Sequence, residues 1–347
     1  MYKRRLLPQR DSPVEDGKPL QGTWTTPFET VNLLSVKRPY RVPLPNWVLD
    51  LRIKEWQTFT AQNDDIWLEA VIANLKLFCF AEITFLDKKK NEKMHVAKAL
   101  PPAAWKMPQS LRDGVVEHDS AGFSFKIHDF LASRKITLDI DIDSAIERPV
   151  FAANLEFDLD IQKTTPLAAN LLIAENRPMY IFKGFSDVEG TVIWGDRNMP
   201  LNREATGGLF HDVKGFIPYR SRYFSCRSLG VDTKGRRFAF SLGEHITRKL
   251  NVNNESALWL EGTLTALPPV RIVMYEHGEA VIQDLEGMVD LTFKLAEDTV
   301  ARFDMFFVGM EHRNQMGHFN GTLTTADGEK LPVRNLPGAA ECFDFRL

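Results

Sequence analysis

"KITLDIDID", residues 135–143, alternates apolar and polar side chains without a break. In an extended chain successive side chains point to opposite faces. Ile136, Leu138, Ile140 and Ile142 therefore share one face, and Thr137, Asp139, Asp141 and Asp143 the other. This is the pattern of a half-buried antiparallel strand. "NLEFDLDIQ", residues 154–162, repeats it with Leu155, Phe157, Leu159 and Ile161 inward and Glu156, Asp158 and Asp160 outward. Carboxylates spaced in this way form solvated faces that guard a sheet edge. No loop nearby has the ligand order of an EF-hand calcium site.

The same reading extends along the chain. "VDTKGRRFAFSLG", "LWLEGTLTAL", "YEHGEAVI" and "TTADGEKLPV" each set a glycine after a polar residue between apolar runs, the chemistry of tight hairpins. Helical turns are expected only in "SPVEDG", "PPAAWKMPQSLRDG" and "IHDFLASRK". The chain is thus expected to be mainly β, with antiparallel barrels or β-sandwiches and a few short helices. A length of 347 residues suits two packed cores. We expect a loosely ordered polar tail over residues 1–20, one β domain over 21–185, and a second over 186–347.

Composition narrows the function classes. A net charge of -3 gives no basic excess for nucleic acid. Cys79, Cys226 and Cys342 are odd in number and widely spaced, against a disulfide framework or a zinc knuckle, and they fit a reducing cytoplasm. The basic start "MYKRR" runs into proline and charge rather than the apolar stretch of a signal peptide. The most apolar window, residues 67–85, contains Glu69, Asn74, Lys76 and Glu82 and does not read as a membrane span. Phosphate-loop, dinucleotide and Gly-x-Ser-x-Gly patterns are missing, so no cofactor is expected. "GEHIT" is not a zinc-binding His-Glu-x-x-His helix, and His312 and His318 stand six apart, so no metal is expected either.

One stretch concentrates polar chemistry: "GGLFHDVKGFIPYRSRYFSC", residues 207–226. In an extended chain Asp212 and Lys214 share a face, as do Tyr219, Ser221, Tyr223 and Ser225. A carboxylate in an apolar cup has its pKa raised toward general-acid range. Asp212, Tyr223, His211 and Glu244 are therefore the candidate catalytic groups, and Lys214, Tyr219, His245 and Glu255 the candidate ligand contacts. The competing reading is an Asp212–Lys214 salt bridge on a tyrosine-rich strand.

The order of "FKGFSDVEGTVIWGD", "HDVKGFIPYRSRYFSCRSLG", "RRFAFSLGEHI", "NNESALWLEGTLTAL", "DLTFK", "NQMGHFNGTL" and "LPGAAECFDFRL" resembles the domain-of-unknown-function 2804 family, most clearly over residues 150–347. The family's Asp-x-x-Arg-Gly stands here as Asp212-Val213-Lys214-Gly215, and its Glu-Asn as Glu255-Ser256. At fold level the layout is similar to lipocalin-like twin barrels, such as carotenoid hydratases and tocopherol cyclases. That likeness implies a β cup enclosing a small apolar or amphipathic ligand, with polar groups orienting it. Three functions follow from it: a carrier, a cofactor-free lyase or isomerase, or a carbohydrate-binding or carbohydrate-processing protein.

Overall fold

The computed structural model describes residues 2–146, 148–244, 254–275 and 278–347, apart from the Met305 side chain. The expected alternation is realised at its starting point. Lys135–Ile142 is a strand whose four aliphatic residues are at most 1% exposed, paired on one side with Phe123–Phe130 and on the other with Phe151–Asp158. The second acidic run is shorter than expected. Its strand ends at Asp158, Ile161 is exposed, and Asp160 is buried in an ion pair with Arg134.

Among the described residues two large sheets carry the fold. The first runs Glu92–Leu100, Cys79–Asp87, Ile66–Asn74, Ile53–Gln62, Gly207–Phe216, Arg177–Trp194, Phe151–Asp158, Lys135–Ile142, Phe123–Phe130 and Gly114–Ser120. Its edge strands do not pair. Residues 101–113 link them, and Trp105, Met107 and Leu111 from this link pack into the enclosed core. The sheet is thus curled into a half-barrel around an apolar interior.

The second sheet runs Thr263–Ala266, Ala257–Leu260, Arg237–Glu244, Arg220–Val231, Lys330–Arg346, Val308–Thr324, Val289–Met305, Glu279–Gln283 and Arg271–Met274, and curls around a core of its own. A third apolar cluster, including Trp56, Val213, Tyr223 and Phe343, cements the two sheets. The hairpins fall where glycine was expected. Glu261 and Gly262 both take positive φ (48° and 77°), the two-residue turn whose twist matches its flanking strands.

Several expectations are corrected. The change of sheet falls at residues 217–219, because Arg177–Trp194 is one continuous strand through 185. Pro218 sits at the real break, where it has no ladder hydrogen bond to donate. The first 20 residues are tied down: Leu6–Leu7 pairs with Gly22–Trp24, Val14 is in the core, and Arg4 Nη1 donates to Asn254 O at 2.7 Å. "SPVEDG" forms a small hairpin through Asp16 and Gly17, residues 101–113 form no helix, and "IHDFLASRK" is strand followed by a 3-10 turn at Leu131–Ser133. Among the described residues the α-helix is instead Asn46–Arg52, opened by Pro45. No described helix is long and apolar enough to cross a membrane.

Candidate active site

Gly207–Phe216 pairs along its whole length with Arg177–Trp194 and Ile53–Gln62, and all ten of its residues are buried. A strand in this position serves two interiors at once. Phe210 and Phe216 pack in the core of the first half-barrel, whereas Leu209 and Val213 pack in the layer between the sheets. By alternation Asp212 and Lys214 enter the half-barrel, and His211 points the other way.

Inside the half-barrel, register aligns Asp212 with Gln57 and Phe182, and Lys214 with Glu55 and Tyr180. The far wall supplies Asp129, on the face shared by Phe123, Phe125 and Ile127, and Gln57 Nε2 donates to Asp129 Oδ2 at 2.8 Å. Few other polar needs are met there. Both Asp212 carboxylate oxygens, Asp129 Oδ1, Gln57 Oε1, Tyr180 Oη and Lys214 Nζ are buried without a directed hydrogen bond. The nearest salt-bridge contact of Lys214 is Glu55 Oε1 at 3.8 Å. Over the group lie Phe28, 5.6 Å from the Tyr180 ring, and Trp24, 5.0 Å from Phe28, whose indole N–H is also unpaired. Buried polar groups are almost always hydrogen-bonded, so these atoms are the ones on this wall with hydrogen-bonding capacity to spare.

Burial pushes the Asp129 carboxyl up to about 8; the Gln57 hydrogen bond opposes this and the Asp212 charge adds to it. Burial raises Asp212 to about 6, with Lys214 and the Gln57 amide offsetting only part of the cost. Loss of water thus outweighs the one nearby cation. The Tyr180 phenol is held well above its usual range by burial, so it stays a neutral donor.

The opposite face of the strand is built differently. Lys183 Nζ lies 2.9 Å and His211 Nε2 3.3 Å from Glu255 Oε2, and burial together with Lys183 pushes His211 down to about 4. Gly243 leaves room for the Glu255 carboxylate, since a Cβ there would come within 2.1 Å of Oε1 and push it aside. Further along the same layer, Arg227 pairs with Glu69 at 2.6 Å and with Glu341 at 2.8 Å. His312 bridges Glu82 at 2.5 Å and Glu341 at 3.2 Å, His95 reaches Glu82 at 2.8 Å, and Asn314 donates to Glu69 at 2.6 Å. Glu69 and Glu82 belong to the first sheet, and Arg227, His312 and Glu341 to the second. The chain of charges rivets the two together.

The candidate residues thus fall into separate places. Asp212 and Lys214 are together in the half-barrel; His211 and Glu255 are together between the sheets. Tyr223 is buried in that same layer, stacked on Phe343, and lies on the opposite side of the first sheet from Asp212. Glu244 sits away from both, accepting from Ile272 N at 2.7 Å and Arg271 at 2.8 Å. Tyr219 is exposed, its hydroxyl donating to Phe307 O at 2.7 Å. His245 lies outside the described residues. Asp129, Gln57 and Tyr180 were not anticipated. The signal for Asp129 is a carboxylate continuing the apolar alternation Phe123, Phe125, Ile127. Among the described residues no three His, Cys, Asp or Glu side chains gather as metal ligands.

A family model described as domain of unknown function (DUF2804) matches residues 7–346. The chain belongs to this family. The match extends through the first half-barrel, well beyond the stretch where the sequence motifs are plainest. Among solved structures the chain is similar to CghA with Sch210972, at 12% identity and a TM-score of 0.57, covering 98% of this chain and 97% of that one. It is also similar to kievitone hydratase from Nectria haematococca, at 7% identity and a TM-score of 0.50, covering 84% and 88%. These likenesses establish the lipocalin-like twin-barrel fold. No curated protein matches the sequence.

Proposed function

We propose that this DUF2804 member is a cofactor-free acid–base enzyme of the lyase or isomerase type, acting on a small, largely apolar molecule inside the first half-barrel. The observation that carries this reading is the wall of unpaired polar atoms on Asp212, Asp129, Tyr180 and Lys214 within an apolar core. Two carboxyl groups whose environments push their pKa values apart make an acid and a base at one pH. At neutral pH Asp129 is mainly protonated and Asp212 mainly ionised. Asp212 takes a proton from the substrate, Asp129 returns one, and Tyr180 and Lys214 stabilise charge developing on a substrate oxygen. Such a pair suits loss or addition of water, double-bond migration or a proton-started ring closure. The name of one structural neighbour, a hydratase, is in keeping with this chemistry. A reducing, cytoplasmic setting accords with three free thiols.

The test is untargeted mass spectrometry of a small-molecule extract from the source cells, incubated with the purified protein. Conversion of a component to an isomer, or to a product differing by one water, is expected for the wild type and is lost in Asp212→Asn and Asp129→Asn. A component that binds and is recovered unchanged by all three proteins would instead make the chain a carrier.

A further inference from the structure

The concave face of the second sheet holds a cavity that the acid–base reading does not use. It has a volume of about 530 Å³, within the range of small-molecule sites. Its apolar walls are Phe224, Met274 and Leu295, which pack at the edge of the second core, with Tyr275, Gly278 and Cys342 beside them. At its inner side stands Gln315, only 5% exposed, whose Oε1 has no hydrogen-bond donor. At the rim, Arg222 is paired with Asp344 at 2.5 Å, and Arg313 lies 3.6 Å from Asp298 and 3.7 Å from Glu311.

These features define a ligand. The rim's two arginines and three carboxylates leave one negative charge over, which Arg302 balances by pairing with Glu311, so nothing there selects an ion. The walls ask for an apolar body, and the orphan amide oxygen asks for one donor at its buried end. We propose that the second half-barrel is a separate binding site for a neutral, apolar small molecule bearing a single N–H or O–H donor. The site is independent of the polar wall around Asp212, which faces the other core. Cys342, half-buried on the cavity wall, reports on its occupancy.

N-phenyl-1-naphthylamine, neutral and apolar with one N–H, is a suitable fluorescent probe. It is expected to bind the full-length protein at one saturable site. Leu295→Trp, which fills the cavity, should weaken binding at least ~10-fold. Gln315→Leu should weaken it by up to ~10-fold, the equivalent of one hydrogen bond of about 1.4 kcal/mol. Asp212→Asn should leave it within twofold. In the wild type, saturating probe should slow alkylation of Cys342 by iodoacetamide, read by peptide mass spectrometry, which keeps the test open should either variant misfold. Probe binding that ignores Leu295→Trp, or a Cys342 alkylation rate that saturating probe does not change, overturns the proposal. Loss of binding in Asp212→Asn alone would move the probe to the first half-barrel.

Discussion

The two faces of the strand Gly207–Phe216 hold the two most polar buried regions of the described molecule, and they are opposites. Between the sheets the carboxylates of Glu69, Glu82, Glu341 and Glu255 each meet a cation or a histidine within about hydrogen-bonding distance. Inside the first half-barrel, Asp212 is as deeply buried but forms no salt bridge among the described residues, having only the neutral Gln57 amide and the more distant Lys214 charge beside it. Burying a charge is expensive, and a paired network offsets the cost with Coulomb energy and hydrogen bonds. A satisfied cluster is explained by the fold it holds together. The other cluster, with no salt bridge from sheet to sheet among the described residues, holds no two sheets together in that way.

The largest expected effect lies in the satisfied region. Arg227→Met strands Glu69 and Glu341 in the layer between the sheets, and should cost about 3–5 kcal/mol in urea unfolding, the usual result of removing one partner of a buried pair. If that variant unfolds at the wild-type midpoint, the rivet is not structural and the comparison fails.

Next comes Asp212→Asn. It should lower turnover by about 10²–10⁴-fold, the range for a positioned base, and leave the melting temperature unchanged or higher, because it removes a poorly paired buried charge. A fall of many degrees would make Asp212 part of the packing instead.

The third prediction sharpens the contrast through pH. Asp129 has a folded pKa of about 8 against an ordinary value of 3.8, so its neutral form favours the folded state fully below about pH 3.8, and that contribution is lost as pH rises through 8. Asp129→Asn should therefore gain stability relative to wild type steadily from about pH 4 to pH 8, as read by denaturant melts. His312, raised to about 10 by Glu82 and Glu341 against the cost of burial, has the same sign over a higher window: its contribution is full below 6.5 and lost through 10. Its partner Glu82, lowered to about 2 by His312 and His95 despite burial, contributes above 4.5 and loses that contribution as pH falls through 2. A flat difference curve for Asp129→Asn would place that carboxyl in contact with water.

The smallest effect is expected at Tyr219. Its one hydrogen bond to Phe307 O is at the surface, so Tyr219→Phe should shift stability by no more than about 1 kcal/mol and leave turnover alone.

How much of this was legible beforehand depends on range along the chain. Period-two runs such as "KITLDIDID" and the glycine turns are local, and strands and hairpins could be read from them directly. The pattern change near 185, from which a domain boundary was expected, falls inside one long strand, and the change of sheet follows Pro218. Asp212 and Lys214 stood out because they interrupt an apolar strand. Their partners did not, since Gln57, Asp129 and Tyr180 come from strands that meet only when the sheet curls, and "IHDFLASRK" read as helix hid the one carboxylate that continued an apolar face. Alternation alone separated His211 from Asp212; grouping them as one site ignored it.

Those two neighbours provide the most direct test. Turnover of the converted extract component, measured for His211→Asn and Asp212→Asn at equal folded fraction, compares adjacent residues on opposite faces of one strand. The account predicts that Asp212→Asn is nearly inactive and as stable as wild type, while His211→Asn keeps its turnover and melts earlier. Equal turnover in the two variants, or the reverse pattern, would contradict it.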